Sequence, residues 1–220
     1  LKMDFLGLRT LTVIQDSLKM IKANHGRNIV FSEMKYDDPL VYENLSAANT
    51  LGVFQLESGG MRQFLKELRP DDFEEIIAGI SLYRPGPMES IPLYIKNKNN
   101  PDQIEYIHEK LRPILEVTNG ILVYQEQVMQ VVRELGGYSY ARADLVRKAM
   151  SKKKMDVMEE EREYFVNGKL DSEGNVEISG CVRNGIPASS ANKIYDNMID
   201  FAKYAFNKSH AACYAVLAYQ

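Results

Sequence analysis

Three places in the sequence carry side chains whose types and spacing suit chemistry on charged groups. The first is Asp4, set between Met3 and Phe5 and followed by Leu6-Gly7-Leu8. A carboxylate projecting from an apolar strand is costly to bury unless something pairs with it, and a divalent metal ion is one such partner. An aspartate at a strand end also serves, and more commonly, as a turn or helix cap. The residue alone does not separate the two roles.

The second place is a basic cluster, Arg142, Arg147, Lys148, Lys152, Lys153 and Lys154, in which Asp144 is the only acid. On a helix Arg147, Ser151 and Lys154 share one face, and Lys148 with Lys152 lies beside it. Such a face can hold a polyphosphate. The alternative is a solvated helix end, where lysines suit the negative pole of the dipole and the acidic run Glu159 to Glu161 neutralises them. The third place is Asn207-Lys208-Ser209-His210, directly before the apolar run Ala211 to Leu217. With Ser209 as the cap of that helix, its free N–H groups, the positive dipole end, Lys208 and His210 converge into an anion pocket. The alternative there is a capped buried helix with a surface lysine and histidine.

Nucleophilic catalysis is poorly supported. Ser209 and His210 are neighbours that do not reach each other as nucleophile and base, no third orienting group is at hand, and Cys213 has no partner in the pattern. Gly52 to Ser58 and Tyr124-Gln125-Glu126-Gln127 read as buried hydrogen bonding between helices. His25 and His108 read as surface residues, without a second ligand at metal spacing.

Helices must position these groups. Apolar residues at Leu11, Ile14, Leu18 and Ile21 predict a helix over Thr10 to Ala23, after a short strand or turn at Leu1 to Leu8. A loop with an extended piece at Asn28 to Phe31 leads to a helix from about Asp38 to Asn49. Ser58 caps a helix ending before Pro70, and Asp71 or Asp72 caps the next, which Arg84-Pro85-Gly86-Pro87 breaks. Further helices are predicted over Leu111 to Glu116, Gln125 to Leu135, Ala141 to Met150, Met155 to Lys169, Ser189 to Phe201 and Ser209 to Gln220. Ile121 to Tyr124 is the best internal strand, and Asp171 to Asn184 the most loop-like segment. The fold class is mainly α: a multi-helical module with a strand-bearing amino-terminal tail.

Composition narrows the partners. The 220 residues are 45% hydrophobic and 26% charged, ordinary for a folded soluble domain. A net charge of -3 excludes nucleic-acid binding through bulk positive charge, so any such contact is local. The 2 cysteines, Cys181 and Cys213, lie far apart without metal spacing, which fits a reducing, cytoplasmic setting. No apolar run reaches membrane-spanning length and no signal peptide is evident. A start at Leu1 and an end at Gln220 inside a helical pattern suggest a piece of something larger.

Laid out in order, several segments together resemble the alpha subunit of bacterial DNA polymerase III, a C-family replicative polymerase with an X-like nucleotidyltransferase palm. They are Lys2 to Thr12, Gly52 to Met61, Ser81-Leu82-Tyr83-Arg84-Pro85-Gly86-Pro87-Met88, Gly120 to Met129, Ala143 to Lys153, Gly180 to Ile186 and Phe206 to Ala211. The resemblance implies that residues 1–10 end the catalytic palm and 11–220 belong to the fingers. It makes Asp4 the third palm carboxylate and a metal ligand, with Lys2 a basic residue of the same site. It sets Arg147, Lys148, Lys152, Lys208, Ser209 and His210 toward the triphosphate of the incoming dNTP, with Arg147-Lys148 standing where many relatives have two arginines, which weakens bidentate phosphate geometry. It further implies two Mg2+ ions in an intact enzyme but not in this piece, which holds one of three carboxylates and is expected to be inactive. Primer-template DNA and other replicase subunits are the implied partners. The competing reading is a helical module that docks DNA or another subunit and has no nucleotide site.

Overall fold

The computed structural model describes residues 7–152, 154–202 and 204–220, with the side chains of 151 and 155 set aside. The chain divides into two compact units, Leu1–Ile77 with Ala212–Gln220, and Ala78–Ala211. Eleven α-helices are found among the described residues, so the mainly α expectation holds. Asp4, Lys2 and most of the expected amino-terminal strand lie outside the described residues.

In the first unit, α1 (Arg9–His25) buries no residue and stops at Gly26, whose φ of 65° lets its N–H reach back to the Lys22 carbonyl. Pro39 and the Asp38 cap open α2 (Pro39–Ser46). Ser58 accepts from Met61 N at 3.2 Å and starts α3 (Gly59–Leu68), as expected. Met61, Phe64, Leu65 and Leu68, at helical spacing, are its buried face. α4 (Phe73–Leu82) begins in this unit and ends in the second; its cap is Asp72, which accepts from Glu75 N at 2.8 Å while the Glu75 carboxylate accepts from Asp71 N at 2.9 Å. The exposed Asp71 and Asp72 and the buried Glu75 therefore form a reciprocal cap. Tyr36 stacks on Phe73 at 4.3 Å. Tyr219, on the closing helix, meets Tyr36 edge-on and accepts a hydrogen bond from Asp38 N.

The second unit holds α5 (Ile91–Asn99), α6 (Arg112–Leu115), α7 (Gln125–Gly136), α8 (Tyr140–Ser151), α9 (Met155–Asn167), a hairpin of β1 (Lys169–Leu170) and β2 (Val176–Ile178), and α10 (Ala188–Ala202). The first turn of α11 (Lys208–Tyr219) completes it. Its core interleaves Val128, Val131 and Leu135 of α7, Val146 and Met150 of α8, Phe165 of α9, and Ile194, Tyr195 and Met198 of α10. Tyr195 buries its ring and still donates to the Met158 carbonyl at 2.8 Å, so its polar tip is not orphaned.

Three expectations are corrected. α5 was not foreseen, because only Tyr94 of it is buried and no apolar stripe marks it. Ile121 to Tyr124 forms no strand: Gln127 Oε1 takes the N–H groups of both Val123 and Tyr124, leaving a single parallel bridge from Tyr124 to Phe206. The expected loop after Asp171 contains β2, antiparallel to β1, because Asp171 Oδ1 accepts from the N–H groups of Glu173 and Asn175 and closes a tight turn. No helix among the described residues is long and apolar enough to cross a membrane.

Candidate anion site at the start of helix α7

Helix α8 presents the predicted cationic face, but it does so already paired. Ser139 caps the helix by accepting from Arg142 N, which fixes the phase of everything after it. Arg147 donates through Nε and Nη2 to Asp144 Oδ1 at 2.9 and 2.7 Å, and Lys148 Nζ lies 2.6 Å from Asp144 Oδ2. Hydrogen bonds from Lys148 and Arg147 hold the Asp144 carboxyl below the usual carboxylate range. Lys152 and Lys154 are exposed, Lys152 closing the helix through its N–H to the Lys148 carbonyl. Lys153 lies outside the described residues. Arg142 does not join this face; it pairs with the buried Glu161 at 2.6 Å, so the expected neutralisation by the acidic run reaches that residue.

The start of α11 differs from expectation at its cap. Asn207, not Ser209, accepts from His210 N at 3.1 Å, and Ser209 falls within the first turn, exposed. With Asn207 as the cap, α11 opens two residues earlier than expected and a different set of orphan N–H groups faces outward. Both Glu126 oxygens lie 3.2 Å from Lys208 N, so a carboxylate already sits against the positive end of α11. Lys208 Nζ lies 5.3 Å from the centre of the Tyr124 ring. The His210 ring stands edge-on to Phe206 at 5.4 Å.

The first turn of α7 joins the two features. Arg147 Nη1 donates to Gln125 Oε1 at 3.1 Å. Gln125 N donates to the Phe206 carbonyl at 2.9 Å, and Gln125 Nε2 reaches Ala205 O at 3.5 Å. From the other side Arg84 stacks its guanidinium 3.8 Å above Phe206 and donates to Tyr204 O at 3.0 Å, with burial lowering its pKa. Arg84 comes close because Gly86, at φ 103°, lets the Tyr204 ring lie where any Cβ would be, 2.1 Å away. Arg147 thus reaches the first turn of α7 directly, while Lys208 and Arg84 contact Tyr124 and Phe206, the residues bridged beside it; Glu126 is the acid of that turn, and Asp144 holds Lys148 on α8.

Gln125, Glu126, Asn207 and Arg84 were not among the expected site residues. The Tyr124 to Gln127 segment was read as interhelix hydrogen bonding, which is right for Gln127: it is buried and donates to Thr118 Oγ1 at 2.7 Å. In the sequence Arg84 stands out only as part of a helix breaker. His25 is exposed as expected, and His108 is half-buried, its Nδ1 accepting from Lys110 N.

Cys213 is exposed. Cys181 is buried, and burial pushes its thiol up to about 12. Its thiolate is thus nearly absent below pH 10, and a maleimide at pH 7.5 is expected to label Cys213 alone in the native protein and both thiols after denaturation. Native labelling of Cys181 at a comparable rate would contradict the burial described here.

Comparison with known proteins agrees along the whole chain. Residues 10–173 match the family model described as the bacterial DNA polymerase III alpha subunit finger domain. The chain is 46% identical over 225 residues to a DNA polymerase III subunit alpha of Thermus aquaticus. It is 44% identical over 220 residues to that of Halalkalibacterium halodurans and 44% over 219 residues to that of Staphylococcus aureus strain COL. Each alignment covers 100% of this chain and 18–19% of the relative, so the chain spans about a fifth of the length of the relatives it matches.

Proposed function

The chain belongs to the bacterial DNA polymerase III alpha subunit finger-domain family, and on that premise we propose that it receives the incoming nucleotide in a DNA-directed DNA polymerase of chromosome replication. One observation carries this reading: the first turn of α7 ties Arg147, through Gln125, to the segment that leads into Lys208, Ser209 and His210. Two cationic features distant in sequence are thereby held against one scaffold, as a triphosphate tail requires.

In this reading the tail takes the place of two carboxylates. Its oxygens replace Asp144 on Arg147 and Lys148, and Glu126 on the Lys208 N–H, while Lys152 and His210 add exposed positive or donor groups at the margin. The resident carboxylates keep the cations oriented before the nucleotide arrives, so less reorganisation is needed on binding. Phosphate contacts carry no base information, and the site holds every nucleotide alike.

Asp4 is the proposed metal ligand, with Lys2 beside it in sequence, and the remaining carboxylates are assigned to a preceding palm. Mg2+ bound there would stabilise the attacking and leaving oxygens of nucleotidyl transfer. Among the described residues nothing at the α7 site forms a metal ligand set. We place the full-length subunit in the cytoplasm with primer-template DNA and other replicase subunits as partners. The chain by itself is expected to be inactive.

The pairing of Arg147 and Lys148 on Asp144 favours a second reading, a docking module whose face is already partly neutralised. A double-mutant cycle in the full-length subunit separates the two. Arg147→Ala and His210→Ala are each expected to raise the apparent KM for nucleotide, and together to do so less than additively, with a coupling of roughly 0.5–3 kcal/mol. Strict additivity in nucleotide KM would place the two residues in separate sites and favour docking.

A further inference from the structure

The second unit contains a cavity of about 390 Å³ that none of the basic side chains Arg84, Arg147, Lys148 and Lys208 lines. Leu82, Leu111, Ile121, Ile194 and Phe201 supply apolar walls. Leu93, 51% exposed, and Tyr204, 46% exposed, stand at its mouth as wetted apolar surface that an occupant would cover. A volume in the range of roughly 300–1,000 Å³ suits a small organic molecule. Gly86 helps to hold the opening: a side chain there would collide with the Tyr204 ring, and the two residues line the cavity together.

Glu89 and Glu105 give the rim two exposed carboxylates, and among the described lining residues none is Lys, Arg or His. Phosphate-bearing ligands are repelled by such a rim, whereas a cationic group gains charge-assisted contact as its apolar body enters. We propose that this cavity is a binding site for a small apolar molecule bearing a protonated amine. The inference does not depend on the polymerase reading, because none of the proposed phosphate-binding residues lines the cavity.

Three probes of one shape and different charge test it on the full-length subunit: 1-naphthylmethylamine, 1-naphthylmethanol and 1-naphthylacetate, titrated by ligand-observed NMR. The amine is expected to bind about three- to tenfold tighter than the alcohol, with the acetate weakest, as part-exposed carboxylates warrant. The combined change Glu89→Gln and Glu105→Gln should bring the amine to the affinity of the alcohol. Leu93→Trp, at a partly exposed position, should fill the mouth and remove saturable binding of all three while the circular dichroism stays that of the parent. If Leu93→Trp proves poorly folded, the double Gln variant decides instead. Absence of saturable amine binding, equal affinities for amine and acetate, an unchanged amine preference in the double Gln variant, or full binding by a folded Leu93→Trp variant each overturns the proposal.

Discussion

Arg147→Ala in the full-length subunit is expected to raise the apparent KM for all four deoxynucleoside triphosphates by roughly ten- to hundredfold, the effect of losing a charge-assisted contact. The size follows from what the side chain does in the structure. It is the one basic residue of α8 that reaches beyond its own helix to the first turn of α7, donating to Gln125 while it pairs with Asp144. Truncation removes a planar donor fork and leaves Asp144 balanced by Lys148 alone, so the field at the site becomes less positive by more than the loss of one contact. Lys148→Ala should act in the same direction and less strongly, because that ammonium is 55% exposed and solvent screens it. Equal effects on all four nucleotides are required, since the proposed contact is to phosphate. Kinetics of incorporation on primed DNA, with each nucleotide titrated separately, give the answer.

Gly180→Ala is expected to destabilise the protein by about 3–5 kcal/mol, combining a left-handed backbone with a steric clash. Gly180 has φ 75°, and a Cβ there would lie 2.2 Å from the Gly168 backbone nitrogen, an atom that cannot swing aside. The same crossing carries hydrogen bonds from Gly180 N to Gly136 O, Cys181 N to Phe165 O and Val182 N to Val166 O, so pushing the two segments apart also loosens the ends of α7 and α9. Gly185 is the internal control. Its φ is 83° but nothing lies within 4 Å of its added Cβ, so Gly185→Ala should cost only the conformational term, about 1 kcal/mol. Chemical denaturation of the two variants side by side measures the difference; equal midpoints would show that the backbone crossing does not constrain the fold.

What could be read from the sequence was local. Ser58 and Asp72 announce their helices because a cap acts within three residues, and the apolar spacing of α3, α7 and α10 follows directly from the helix period. α5 escaped because a helix that buries one tyrosine leaves no stripe to detect. The α11 cap was misplaced because Asn207 and Ser209 are both good capping residues, and only the observed bond to His210 N chooses between them.

The candidate site divides in the same way. Arg147 and Lys148 were visible as charges, and the neutralising role of Asp144 was available in its i+3 and i+4 spacing to them. The joining of α8 to the start of α11 was not available. It runs through the uncharged side chain of Gln125 across 22 residues on one side and 80 on the other, and no spacing rule links such distant positions. Glu126 facing the Lys208 N–H is a product of the same long-range packing.

The central claim, that the turn of α7 gathers a triphosphate site, is tested most directly by calorimetric titration of the full-length subunit and its Arg147→Ala variant with a deoxynucleoside triphosphate and with the matching monophosphate. The account predicts that the variant loses roughly ten- to hundredfold in affinity for the triphosphate and leaves monophosphate binding unchanged. Unchanged triphosphate affinity, with binding of primed DNA weakened instead, would contradict it and assign the cationic face to docking.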